Sequence, residues 1–143
     1  MDIYFAGSIR GGREDVQLYA ALVKYLQSYG TVLSEHIGDK TLTDTGEQSA
    51  DKFIHDRDLG WLFQSNVVVA EVTQPSLGVG YELGRLVGFK RTPILALYRP
   101  QEGKRLSTMI SGCPNITVSK YHTLDEAVHH IDSFMMNHRF QKK

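Results

Sequence analysis

Residues 67–89 read VVVAEVTQPSLGVGYELGRLVGF, and the order of strand, turn and helix within this stretch decides the fold. Val67 to Val72 are mostly β-branched and nearly all apolar, the pattern of a strand covered on both faces of a parallel sheet. A glycine-bearing turn follows, and then a helix predicted to open near Val79 or Gly80, with Glu82 in its first turn. The first N–H groups of such a helix lack partners inside it, so Ser76–Gly80 is expected to offer donors to an anion above the sheet.

Gly78-Val79-Gly80 invites a dinucleotide-binding reading, but the fingerprint needs a further glycine where the chain has Leu83, and Glu82 would face a pyrophosphate. The pattern instead suits a carboxylate held ionised by the helix dipole and nearby amides, as a nucleophile or a base. An ordinary first-turn acid paired with Arg85 at i+3 is the other reading of the same residues.

The totals narrow the possibilities. With 143 residues the chain is expected to form one domain, 1–143, large enough for a substantial core. Sixteen basic residues balance sixteen acidic ones, so no net field draws the protein to a nucleic acid polymer or an anionic membrane, and a small-molecule site is expected. Cys113 is the sole cysteine, which excludes an internal disulfide and a cysteine-based metal cluster. The N-terminus shows no signal-peptide pattern, so an intracellular, cytoplasmic protein is expected, with the Lys/Arg-containing tail leaving the nucleus open.

Upstream, Ile3 to Ala6 is a short apolar strand that leads through Gly7-Ser8-Ile9-Arg10-Gly11-Gly12 into a helix over about 14–29. Gly7 and Gly12 have P-loop spacing, but the lysine and hydroxyl that should follow are Arg13 and Glu14, which excludes a triphosphate site of that kind. Ser8 and Arg10 remain as a hydroxyl and a guanidinium suited to one phosphate. Thr31 to Ser34 is a second strand, with His36 just beyond it. A helix over 50–64 places Ile54, Trp61 and Leu62 on one face and Asp58 in the middle of that face. A carboxylate there is costly unless hydrogen-bonded, protonated or functional.

Downstream, Pro93 to Tyr98 is a fourth strand, a short helix follows at about 106–111, and Ile116 to Val118 is a fifth strand. Thr123 and Glu126 form a capping box for the last helix. Residues 139–143 are expected to fray. The alternation predicts an α/β fold: a flavodoxin-like (Rossmann-like) five-stranded parallel sheet with helices on both faces.

With Tyr4, the Gly7–Gly12 turn, Asp58 and Ser76-Leu77-Gly78-Val79-Gly80-Tyr81-Glu82-Leu83-Gly84 in view, the chain resembles the nucleoside 2-deoxyribosyltransferase superfamily, from about Ile3 to the last helix. The branch it is most similar to hydrolyses deoxynucleoside 5′-monophosphates, the substrate the resemblance implies, releasing free base and 2-deoxyribose 5-phosphate. The resemblance casts Glu82 as the nucleophile that forms a covalent sugar intermediate, Asp58 as a second acid and Tyr4 as its hydrogen-bonding neighbour. It casts Gly7, Ser8, Ile9, Arg10, Gly11, Gly12, Ser76 and Gly78 as substrate-binding, with His36 near the base. Ser107 matches a serine supplied across a homodimer interface, and both it and Met109 are cast as substrate-binding. Neither metal nor cofactor is implied. A deoxyribosyltransferase sharing the nucleophile, or a non-catalytic nucleotide-binding module of the same fold, are the competing readings.

Overall fold

The computed structural model describes residues 1–9, 15–39, 41, 47 and 49–143. Five strands run in one direction: β1 (Asp2–Ala6), β2 (Thr31–Val32), β3 (Val67–Glu71), β4 (Ile94–Tyr98) and β5 (Thr117–Lys120). Their spatial order is β2-β1-β3-β4-β5, the flavodoxin-like arrangement expected from the alternation of elements. The helices are α1 (Val16–Leu26), α2 (Asp51–Gln64), α3 (Leu77–Phe89), α4 (Thr108–Ser111) and α5 (Leu124–Asn137). Among the described residues no helix is long and apolar enough to cross a membrane.

The two faces of the sheet follow from period-two alternation along each strand. Ile3 and Phe5 of β1 pair in register with Val67 and Val69 of β3, and this face packs under α1 and α5 with Leu22, Leu26, Ile131 and Met135. Tyr4, Ala6, Val68 and Ala70 point the other way and pack against α2 and α3 through Leu59, Leu62, Leu83 and Leu86. All five residues of β3 are buried, which is why that strand reads as an unbroken apolar run closed by one acid.

Several element bounds differ from the sequence reading: α1 ends at Leu26, α4 begins at Thr108, β5 runs to Lys120, and β2, α3 and the tail differ for identifiable reasons. Strand β2 stops at Val32 because the Ser34 hydroxyl takes over the pairing: it accepts from the Phe5 N–H at 2.8 Å and donates to the Phe5 carbonyl at 2.7 Å. Residues Glu35–Gly38 then form a 3-10 helix that carries His36. Helix α3 begins at Leu77, two or three residues earlier than predicted, because the Ser76 hydroxyl caps it by accepting from Val79 N–H at 3.2 Å. The tail, expected to fray, makes contacts: Lys143 N–H donates to the Ser28 carbonyl at 2.9 Å, and the Lys142 ammonium lies over the rings of Tyr25 and Tyr29.

The strand order changes direction between β1 and β3, so the connections leaving these two strands diverge to opposite faces. The crevice they leave at the C-terminal edge of the sheet is where ligands bind in this architecture.

Candidate active site

A cleft of about 1000 Å³ opens at that crevice. Its lining includes Tyr4, Gly7 and Ile9 from β1 and the turn after it, Asp58 from α2, and Ser76, Gly78 and Glu82 from the start of α3. Ser107 and Met109, at the start of α4, stand on the rim of the same cleft together with Arg105. The fold therefore gathers most of the residues that the sequence singled out, from five segments spread over more than a hundred positions.

Ser8 is fully buried and lies behind the lining, with its N–H donating to the Tyr19 hydroxyl at 3.2 Å. His36 also stands behind the wall, 3.3 Å from Glu47 and with its ring 5.8 Å from that of Trp61. Arg10, Gly11 and Gly12 lie outside the described residues.

The earlier start of α3 corrects two expectations. Glu82 sits in the second turn of the helix, and the Val79 and Gly80 N–H groups are already taken by the Ser76 hydroxyl and carbonyl. Leu77 and Gly78 keep N–H groups without a partner among the described residues, and these are the amides left for an anion. Ser76 accepts through its oxygen, so its hydroxyl proton is still free to donate.

The shift of the Glu82 carboxyl runs opposite to the one the helix dipole suggested. Burial pushes its carboxyl up from the ordinary 4.5 to about 8, Asp58 adds to the rise, and a hydrogen bond from Tyr4 works against it. One oxygen, Oε2, is buried without a hydrogen-bond partner among the described residues. Arg85 does not pair with Glu82, because its guanidinium donates to the Tyr81 hydroxyl and lies over the Tyr81 and Phe63 rings. Tyr4 is 1% exposed, and burial followed by the charges of Glu82 and Asp58 holds its phenol well above its usual range. It stays protonated and acts as a donor.

Asp58 is not on the core stripe of α2, which is Leu59 and Leu62; it flanks the stripe and faces the cleft. Arg57 directs two N–H groups at one oxygen, Asp58 Oδ1, at 2.9 and 2.8 Å. The same guanidinium forks onto Glu47 at 2.7 and 2.5 Å, and these bonds keep Glu47 below the usual carboxylate range. It also lies 4.7 Å from the Trp61 ring. His36, Glu47 and Asp58 bring ligand atoms within 4.8 Å of one another, but the Arg57 guanidinium already engages both carboxylates, which leaves a cation poorly served.

Arg57, Glu47 and Arg105 were missed in the sequence. Arg57 and Glu47 meet only through tertiary contact, and Arg105 lies in an irregular segment without periodicity. Glu71, also missed, carried a signal: an acid closing a buried strand at the edge where ligands bind.

Comparison with known proteins places these features in a family. A model described as nucleoside 2-deoxyribosyltransferase matches residues 3–131. A 5-hydroxymethyl-dUMP N-hydrolase of Tetraodon nigroviridis is 54% identical over 143 residues, covering 97% of this chain and 100% of that protein. A putative 2′-deoxynucleoside 5′-phosphate N-hydrolase of Nematostella vectensis is 61% identical over 115 residues, covering 79% of this chain and 78% of that one. Among solved structures, a CMP N-glycosidase of Clostridium botulinum shares the fold at a TM-score of 0.58 and 16% identity, over 92% of this chain and 99% of its own.

Proposed function

The chain belongs to the nucleoside 2-deoxyribosyltransferase family, and from that premise we propose that it is an N-glycosidase. It hydrolyses the N-glycosidic bond of 2′-deoxynucleoside 5′-monophosphates to free base and 2-deoxyribose 5-phosphate. The observation that carries the reading is Glu82: a carboxyl at the divergence point of the sheet, in one cleft with Tyr4, with its Oε2 unpartnered among the described residues and Asp58 beside it in the same recess.

Cleavage builds positive charge on the sugar, and a carboxylate aimed at the anomeric carbon can trap it, as in retaining glycosidases. In the first step the C1′–N bond breaks, its electron pair leaves with the base, and a Glu82 oxygen bonds C1′. Glu82 carries a proton in the free protein at neutral pH, and the departing base needs one; Asp58 stands where it can carry that proton or orient Glu82. In the second step water attacks C1′, the Glu82–sugar bond breaks, and the proton of the water leaves through the same groups.

The phosphate is held by donors at two turns. Ser8 and Arg10 belong to the first, and Ser76 with the Leu77 and Gly78 amides to the second. Support comes from the buried Ser8 hydroxyl, whose oxygen has no partner among the described residues, and from the unused amides at the start of α3. The 5-hydroxymethyl-dUMP named for the relatives is the substrate to test first.

The enzyme works as a homodimer in which Ser107 of one copy reaches the phosphate of the other. Leu77 and Met109, 97% and 80% exposed at the mouth of the cleft, are apolar surface that a second copy would cover. We place the protein in the cytoplasm, with the nucleus as a second compartment.

Chromatographic detection of free base tests the reaction. The wild type should release base from 5-hydroxymethyl-dUMP or another deoxynucleoside monophosphate, and not from the deoxynucleoside or the ribonucleotide. Glu82→Ala should lower turnover on the order of a thousandfold. Release from the unphosphorylated nucleoside alone, with a new nucleoside forming when a second base is added, would make the protein a transferase. Binding without release from any base would make it a nucleotide-binding module. Sedimentation showing a fully active monomer would refute the shared site.

A further inference from the structure

On the face of the sheet away from Glu82, five residues form a polar network that is buried at Glu71, Thr73 and Tyr121 and partly exposed at Arg99 and Asp15. Glu71, the last residue of β3, is fully buried. Its carboxylate accepts from the Thr73 N–H at 2.7 Å, from the Thr73 hydroxyl at 3.0 Å and from the Tyr121 hydroxyl. Burial raises the Glu71 carboxyl from its ordinary value, and these three donors oppose the rise. The Thr73 hydroxyl in turn accepts from the Arg99 N–H at 2.9 Å, which joins the segment after β4 to the network. The Arg99 guanidinium crosses to Asp15 at 2.8 Å, immediately before α1.

Each end of this network is tied to one phosphate turn. Thr73 lies between β3 and the Ser76 cap of α3, so Glu71 sets where Ser76 and the Leu77 and Gly78 amides begin. Asp15 accepts the Tyr19 N–H on its carbonyl at 2.9 Å, and the Tyr19 hydroxyl accepts the Ser8 N–H, so Arg99 sets where Ser8 lies. Two side-chain oxygens at the α1 end, Ser8 Oγ and Asp15 Oδ2, are buried without a partner among the described residues. A partly buried ionisable network costs desolvation energy, which an apolar core at the same place would avoid. The spacing it enforces between two separate turns is the return that geometry offers.

We propose that Glu71, Thr73, Tyr121, Arg99 and Asp15 are positioning residues that hold Ser8, just after β1, and Ser76, at the start of α3, at a fixed separation, and so determine affinity for the 5′-phosphate. The inference rests on the assignment of Ser8 and Ser76 to the phosphate in the proposed function. None of the five touches the sugar or the base in this assignment, so their effect falls on phosphate binding rather than on bond cleavage.

Calorimetric titration with 2-deoxyribose 5-phosphate, which needs no turnover, is the test. Tyr121→Phe and Arg99→Met should each weaken binding of this probe roughly tenfold. Arg99→Lys, which keeps a cation for Asp15, should restore most of the loss. In steady-state assays with a deoxynucleoside monophosphate, KM should rise by the same factor while kcat stays within about twofold. A purely structural network would move the melting temperature alone, so folded variants that bind the probe as the wild type does would overturn the inference. A fall in kcat at unchanged KM would overturn it too. A wild type that binds the probe and releases no base would withdraw the hydrolase reading while leaving this inference to the calorimetry. A wild type that releases base without binding the probe would do the opposite.

Discussion

Tyr4, from the first strand, and Glu82, from the second turn of α3, line the same cleft, and the influence of the Tyr4 hydroxyl on the Glu82 carboxyl opposes the burial that raises it. Both side chains belong to the face of the sheet covered by α2 and α3. Tyr4 gains its place from strand alternation and Glu82 from helical spacing, so neither residue's sequence neighbours reveal the pair.

The pair sets a pH dependence. Because the departing base takes up the proton that Glu82 carries in the free protein, kcat/KM of the free enzyme should fall with pH through an inflection near 8, the value to which burial raises Glu82. Tyr4→Phe removes a lowering influence and should move the inflection upward. Asp58→Asn removes a raising one and should move it downward. Shifts in the opposite order would sink this account of the site.

The same carboxyl links stability to pH. Its folded value of about 8 lies above the ordinary 4.5, so between these limits the folded chain binds more protons than the unfolded chain. Stability from this group is full below the ordinary value and is lost as pH rises through the folded one. Glu82→Gln cannot suffer that loss. Its melting temperature should exceed that of the wild type by a few °C above about pH 8, and the gap should close toward about pH 5. An equal gap at both pH values would show that ionisation is not its source.

Asp132 on α5 accepts from the Tyr25 hydroxyl at 2.6 and 2.8 Å and from the Tyr29 hydroxyl at 2.6 Å, with the Lys142 ammonium 3.7 Å away. Burial pushes its carboxyl up, but the bonds from the two tyrosines and the lysine outweigh it and hold the group below its ordinary 3.8. Its stabilisation is therefore present above that value and is lost as pH falls through the folded one. Asp132→Ala should lower the melting temperature at neutral pH by about 2–4 °C without altering turnover. Scanning calorimetry of the variant at neutral and acid pH, with the wild type alongside, checks both the drop and its disappearance in acid.

Two glycines should respond in opposite directions. A Cβ at Gly30 would overlap the Met1 carbonyl oxygen, whose chain must pass close for Thr31 N–H to donate to it at 2.9 Å. Gly30→Ala should cost about 1–3 kcal/mol in urea unfolding. Gly60, inside α2, has nothing within 4 Å of such a Cβ, and Gly60→Ala should gain about 0.5–1 kcal/mol. Equal effects at the two positions would contradict the packing described around β2.

The sequence alone determined the sheet, its parallel order and the edge at which the cleft opens, because strand alternation, a buried central strand and glycine-bearing turns are local signals. It also singled out Glu82, Asp58 and Tyr4. Where α3 begins was less legible: whether the helix opens at Leu77 or Val79 turns on the Ser76 hydroxyl reaching one amide, a choice of a single hydrogen bond. The length of β2 was hidden for a similar reason, since Ser34 replaces backbone pairing with side-chain pairing.

Tertiary structure alone decided the electrostatics. Glu82 seemed an acid kept ionised by a helix end, yet burial, with Asp58 adding to it, outweighs the influence of the Tyr4 hydroxyl and raises its carboxyl instead. Asp58 seemed an orphan on a core stripe, yet Arg57, the residue before it in sequence, wraps back to engage it together with Glu47. The polar network from Glu71 to Asp15 joins residues from 15 to 121, and no local pattern announces it. Local periodicity reports which groups face inward, whereas protonation and partnership depend on which charges and donors the fold brings within a few ångströms of one another.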